Sequence, residues 1–188
     1  MQTHYFYALE LPGKSKAILE ETIHSMKEKM PFKTWVHPQD LHITLAFLGN
    51  APEAKIKAAN EVIRAALNNT PTFKLEVNHL GTFGRKDSPR IFWAGLEKST
   101  DLKEVRKIVF SACSAAGFTL EARPFSPHIT MARKWAGEEA FQAGQLDAVN
   151  PFKKELTFQA ERVVLYKTHL GKSPKYEPIT LFPLAKQD

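Results

Sequence analysis

The sequence predicts an α+β protein built from two αβ lobes related by a pseudo-twofold axis. Two observations carry this. The stretch Leu41-His42-Ile43-Thr44-Leu45 returns once, as Pro127-His128-Ile129-Thr130-Met131, with the two histidines 86 residues apart. The order of strand and helix patterns before His42 is loosely mirrored before His128. Each lobe then supplies one motif strand. No linker rich in Gly, Ser or charge divides them, so residues 1–188 read as a single bilobal domain.

In chain order, Tyr5 to Leu11 reads as a buried strand stopped by Pro12-Gly13. A helix from about Lys14 to Met30 puts Leu19, Ile23, Met26 and Met30 on one face, and Pro31 ends it. Thr34 to Val36 is extended, Pro38 makes a turn, and His42 to Leu48 is the first motif strand, closed by Gly49-Asn50. A second helix, Glu53 to Asn69, has Ile56, Ala59, Ile63 and Leu67 as its inner stripe. Phe73 to Leu80 alternates apolar with polar, as a strand with one wet face does. Gly81 to Pro89 reads as a loop and Ile91 to Leu96 as a strand. The third helix, Asp101 to Ala116, turns Leu102, Val105, Val109 and Ala112 inward and ends at Gly117 in the C-terminal cap position. The second motif strand spans Ser126 to Arg133. Trp135 to Asn150 reads as a short helix and loop, Pro151 to Tyr166 returns to strand character, Thr168 to Lys175 is a loop, and Ile179 to Phe182 is a last strand.

Side chains alternate between the faces of a strand, so His42 and Thr44 point one way while Ile43 and Leu45 anchor the other side. The same holds for His128 and Thr130 against Ile129 and Met131. Together the motifs offer an acid, a base and two neutral hydrogen-bond donors, the set that proton transfer at a phosphate requires. Neither motif has a second His two or four residues away or a carboxylate within it, so no metal is expected. No serine elbow or Gly-rich phosphate loop is present.

Composition sets the surroundings of this chemistry. With 43% hydrophobic residues the chain can bury a substantial core. The 26 Lys and Arg against 20 Asp and Glu favour an anionic partner. Cys113 stands alone, on the inner side of a helix, which excludes an internal disulfide. No signal peptide and no apolar run long enough to cross a bilayer is visible, so a cytoplasmic protein with no membrane association is expected.

At these motifs the sequence resembles the two-histidine phosphoesterase superfamily, and within it the RNA 2′,3′-cyclic phosphodiesterases, also called 2′-5′ RNA ligases. The resemblance includes Tyr5 to Pro12, Thr34 to Gly49, Arg123 to Arg133, Val164 to Lys167 and Tyr176 to Leu184. It implies antiparallel sheets forming a central cleft with helices outside. It also implies metal-independent, cofactor-free hydrolysis of a 2′,3′-cyclic phosphate on RNA or a nucleotide, yielding a 2′-phosphate. His42 would be the proton donor and His128 the proton acceptor, with Thr44 and Thr130 binding the phosphate oxygens, although the residues alone leave the two histidine roles exchangeable. Arg133 matches a family arginine near the bound nucleotide. Tyr7 matches an aromatic position that could stack on a base, or it is an ordinary core aromatic.

The remaining histidines, His4, His24, His37, His79 and His169, lack a partner pattern or depart from the family. Arg85, Lys86 and Arg90, and Lys167, Lys172 and Lys175, sit in loops as candidate phosphate-backbone contacts. The expected partner is RNA or an oligonucleotide with a cyclic phosphate end, bound by a monomer. Two alternatives remain open: 2′-5′ ligation, which reverses the same proton transfers, and a noncatalytic RNA-binding module.

Overall fold

Among the described residues, alternating and continuous apolar runs form nine strands, and the 3.6-residue stripes form helices. A computed structural model describes residues 3–152 and 156–187. The elements are β1 (His4–Glu10), α1 (Gly13–Lys27), β2 (Phe32–Trp35), β3 (His42–Asn50), α2 (Glu53–Leu67), β4 (Phe73–Gly84), β5 (Pro89–Leu96), α3 (Thr100–Ala115), β6 (His128–Trp135), α4 (Gly144–Val149), β7 (Leu156–Ala160), β8 (Arg162–Thr168) and β9 (Tyr176–Pro183). Of the strand expected over 151–166, residues 153–155 lie outside the described residues.

Helix ends follow local chemistry. Pro12 and Pro52 precede α1 and α2. Ser99 Oγ caps α3 by accepting from the Leu102 N–H at 3.1 Å. Gly117, at φ +91°, takes the left-handed conformation that ends α3. Most of the expected stripes are buried, Leu19, Ile23 and Met26 of α1, Ala59, Ile63 and Leu67 of α2, and Leu102, Val105, Val109 and Ala112 of α3, while Ile56 is half-buried and Met30 is buried beyond the end of α1. They share one core with Tyr7, Leu9, Ile43, Leu45, Phe92, Ala94, Ile129 and Met131 from the strands. Cys113 is buried there, and desolvation pushes its thiol up to about 12.

The strands form one antiparallel sheet in the order β7-β4-β5-β6-β3-β1-β8-β9, with β2 pairing β6 beside β3. The two expected sheets are thus halves of a continuous one. The motif strands β3 and β6 lie at its centre and meet through a single facing pair, Ile43 and Ile129. On one side β1 flanks β3, and on the other β5 flanks β6, so the halves mirror each other across the seam.

Both motif strands carry a bulge at the same place. Thr44 faces Ala8 and Ala46 faces Tyr7, leaving Leu45 as an extra residue. Thr130 faces Trp93 and Ala132 faces Phe92, leaving Met131 extra. An extra residue resets the two-residue alternation. The side chain five residues past each histidine, Phe47 or Arg133, therefore returns to the histidine face.

The loop expected over Gly81 to Pro89 is mostly strand: β4 runs to Gly84 and pairs with β5 from Pro89. The glycines interrupt the pattern, not the ladder. A Cβ on Gly81 would lie 2.2 Å from the Trp93 ring, and one on Gly95 would lie 2.2 Å from the His79 ring. Each glycine leaves room for an aromatic ring on the neighbouring strand.

Candidate active site

His42 and His128 begin their strands, and each is oriented by the turn that delivers it. The His42 Nδ1 lies 2.6 Å from the Asp40 carbonyl oxygen, and the His128 Nδ1 lies 2.8 Å from the Ser126 carbonyl oxygen. A carbonyl oxygen only accepts, so both Nδ1 atoms carry hydrogen and both Nε2 atoms are the working positions. The His42 Nε2 is 3.0 Å from Thr44 Oγ1, which ties the imidazole to its own motif hydroxyl.

Aromatic rings back each imidazole. His42 lies against Phe6, at 4.9 Å between ring centroids, and Tyr176, at 5.2 Å, with Tyr166 behind them. These rings form a small apolar cluster with Ala8 and Val164, apart from the main core. His128 lies 4.9 Å from Phe83 and 6.2 Å from Trp93. His79 stacks edge-on behind Trp93, and the buried Trp93 Nε1 has no partner among the described residues.

These surroundings set the protonation of the pair. Desolvation lowers His42 to about 4, opposed by the hydrogen bond that Nδ1–H donates to the Asp40 carbonyl and by the Asp40 charge, and reinforced by His128 and Arg133. His128 is lowered too, first by burial and then by Arg133, against the Ser126 carbonyl. Both imidazoles are therefore neutral at pH 7 in the free protein. Each is close enough to Arg133 to feel its charge.

Asp40 holds this corner together. It is buried, and its carboxylate accepts from the backbone N–H groups of Lys175 at 2.9 Å and Tyr176 at 3.1 Å. One residue thus supplies the carbonyl that orients His42 and pins the start of β9, whose Tyr176 packs on the His42 ring. Nothing in the sequence pattern marked Asp40, Phe83 or Trp93. The glycines beside Phe83 read as loop, Trp93 reads as one more apolar residue of the strand Ile91 to Leu96, and a buried carboxylate in a turn looks like a surface residue.

The structure brings together His42, Thr44, His128, Thr130 and Arg133 on one face of the sheet. It does not bring Tyr7 there. Tyr7 is 0% exposed, packs on Phe182 and donates its hydroxyl hydrogen to Asn60 Oδ1 at 2.6 Å. One position along an alternating strand changes face, so Phe6 is the β1 ring beside His42 and Tyr7 is a core residue unable to stack on a base. Arg85 pairs with Asp87 on the surface, and His169 pairs with Glu177 across β8 and β9. Among the described residues, no group of three or more His, Cys, Asp and Glu side chains gathers as a metal site would require, and no helix is long and apolar enough to cross a membrane.

The fold is shared with a solved structure, and the sequence with curated relatives. The crystal structure of E. coli LigT complexed with 3′-AMP superposes with a TM-score of 0.78 at 24% identity, covering 98% of this chain and 99% of that one. A relative from Geobacillus stearothermophilus, named RNA 2′,3′-cyclic phosphodiesterase, is 42% identical over 97% of this chain. The chain spans 58% of that relative's length. A Bacillus subtilis protein of the same name is 35% identical over 98% of both chains. Residues 16–172, which include both motif strands, match the family model, and the chain belongs to the 2′-5′ RNA ligase superfamily.

Proposed function

We propose that this protein hydrolyses the 2′,3′-cyclic phosphate at the end of an RNA or nucleotide to a 2′-phosphate, with His42 as proton donor and His128 as proton acceptor. One observation carries the reading: two imidazoles in the same tautomer, each fixed through Nδ1, stand on strands that meet at one residue pair. The relatives that bear the cyclic phosphodiesterase name support it. The His128 Nε2 takes a proton from water as its oxygen attacks phosphorus. The bond from phosphorus to the 3′ oxygen breaks, and the His42 Nε2 gives that oxygen a proton. Thr44 and Thr130 donate to the nonbridging oxygens, where charge accumulates. Arg133 adds positive charge beside them and serves as the phosphate or base contact.

Burial suits His42 to the donor role. An imidazolium that is hard to form gives up its proton readily, and the anionic phosphate, with the Asp40 charge, supplies the field that loads it on binding. Joining a cyclic phosphate to a 5′-hydroxyl would run the same transfers with an RNA oxygen in place of water. Hydrolysis is the expected direction because water is abundant. The reading includes a cytoplasmic monomer acting on RNA without a metal or cofactor.

The test is phosphorus NMR on a short RNA ending in 2′,3′-cyclic phosphate, with excess EDTA, beside His42→Ala and His128→Ala. Conversion to a 2′-phosphate, lowered about 10²- to 10⁴-fold in each variant, is the expected outcome. A folded protein that binds the RNA without converting it points instead to a binding module.

A further inference from the structure

The mirror relation between the halves fails at one place. On the edge of β6 that meets β3, β2 pairs with the strand beyond its bulge, matching Thr34 to Arg133 and Trp35 to Ala132. The segment in the equivalent position beside β3, residues 118–126, leads into His128 as β2 leads into His42. It makes no backbone hydrogen bond to Leu45–Gly49 among the described residues. A groove of about 680 Å³ lies there instead, lined by Thr44, Phe47, Arg106, Phe110, Phe125 and His128 among others.

Two side chains in this groove keep a free face or an unpaired charge: Phe47, which meets His4 edge-on at 5.7 Å, and Arg106. Phe47 is 58% exposed, and it occupies the position that corresponds to Arg133 in the other half. Arg106 is held between two rings, 3.9 Å from Phe110 and 5.3 Å from Phe125. Among the described residues it has no carboxylate partner, and its buried Nε has no hydrogen-bond acceptor. A guanidinium that is stacked, partly desolvated and unpaired is organised to receive an anion.

We propose that this groove is a second nucleotide subsite, in which Arg106 binds the phosphodiester that joins the terminal nucleotide, bearing the cyclic phosphate, to the penultimate one, and Phe47 stacks the base of that penultimate nucleotide. The inference rests on the hydrolytic reading above and narrows its substrate class to oligonucleotides. A 2′,3′-cyclic phosphate closes the 3′ end, so any strand leaving the histidines continues on its 5′ side. The groove shares Thr44 and His128 with the site, which makes it a path for that strand. Sequence tolerance follows, since every base has a face to stack.

The test compares a mononucleotide 2′,3′-cyclic phosphate with a dinucleotide ending in the same group. Wild type should favour the dinucleotide in kcat/KM by about tenfold or more. Arg106→Met, which keeps an apolar stem between the two rings, and Phe47→Ala should each reduce that preference about tenfold, through KM. Absence of the preference in wild type, or its persistence in both variants, overturns the subsite. If Arg106→Met fails to melt cooperatively, Phe47→Ala, altered at an exposed side chain, decides. If wild type turns over neither substrate, the hydrolytic reading fails, and the subsite is judged by fluorescence anisotropy with a labelled dinucleotide 2′-phosphate. An affinity about tenfold weaker in the variants supports it, and equal affinity overturns it.

Discussion

A single hydrogen bond decides which nitrogen of each histidine does the chemistry, and its origin is local. The carbonyl two residues before His42 and the one two residues before His128 hold the Nδ1–H groups, and burial then lowers both rings from 6.5. In the free protein one ring must be protonated for turnover, so kcat/KM should trace a bell whose maximum lies below pH 6.5. In the bound complex the anion raises both rings, and the kcat profile should peak at higher pH. A kcat/KM flat from about pH 5 to about pH 9 contradicts the paired roles. Tyr7 gives the opposite kind of test. Tyr7→Phe should lose about 0.5–1.5 kcal/mol of stability with the Asn60 hydrogen bond, measured by denaturant unfolding. Its kcat/KM should stay at the wild-type level, since the ring faces away from the site.

The strands that carry the site were the most legible elements and also the source of what was missed. Both His-x-Thr strands and every inner helix stripe follow from periodicity alone, because a helix or strand that buries one face repeats that face in its sequence. The bulges at Leu45 and Met131 leave no such trace: an extra apolar residue in an apolar strand looks like the next core position. For the same reason Arg133 could be placed only by resemblance, and Phe47 drew no notice. The β4–β5 hairpin was hidden by its glycines, which read as a loop until the Trp93 and His79 rings are seen to lie over them. Gly81→Ala tests that packing. The new methyl forces Trp93 from its place beside His128, and a loss of about 1–3 kcal/mol in stability is expected. Reduced kcat should accompany it, read in the cyclic phosphate assay. An unchanged melting temperature would show that the ring has room elsewhere.

At the scale of the whole molecule, charge and symmetry act together. The chain carries a formal net charge of +6, so attraction to a polyanion should weaken as counterions screen it. Raising salt from about 50 mM to about 200 mM should therefore lower kcat/KM for an oligonucleotide far more than for a mononucleotide. Equal salt dependence would mean that only the terminal phosphate is held. The doubled half-sheet was legible from one repeated pentapeptide, while the missing strand beside β3 was not, because nothing in residues 118–126 forbids pairing. The matched bulges also bear on direction. A centre made of two like halves is a dyad with no front or back, and its acid and base could trade places without altering either motif. Polarity enters where the repeats first exchange an apolar side chain for a charged one, five residues beyond each histidine, with a flat hydrocarbon ring on one side and a cation on the other. On the hydrolytic reading proposed above, Phe47 and Arg133 rather than the histidines alone would set which way the strand lies, and so which ribose oxygen leaves.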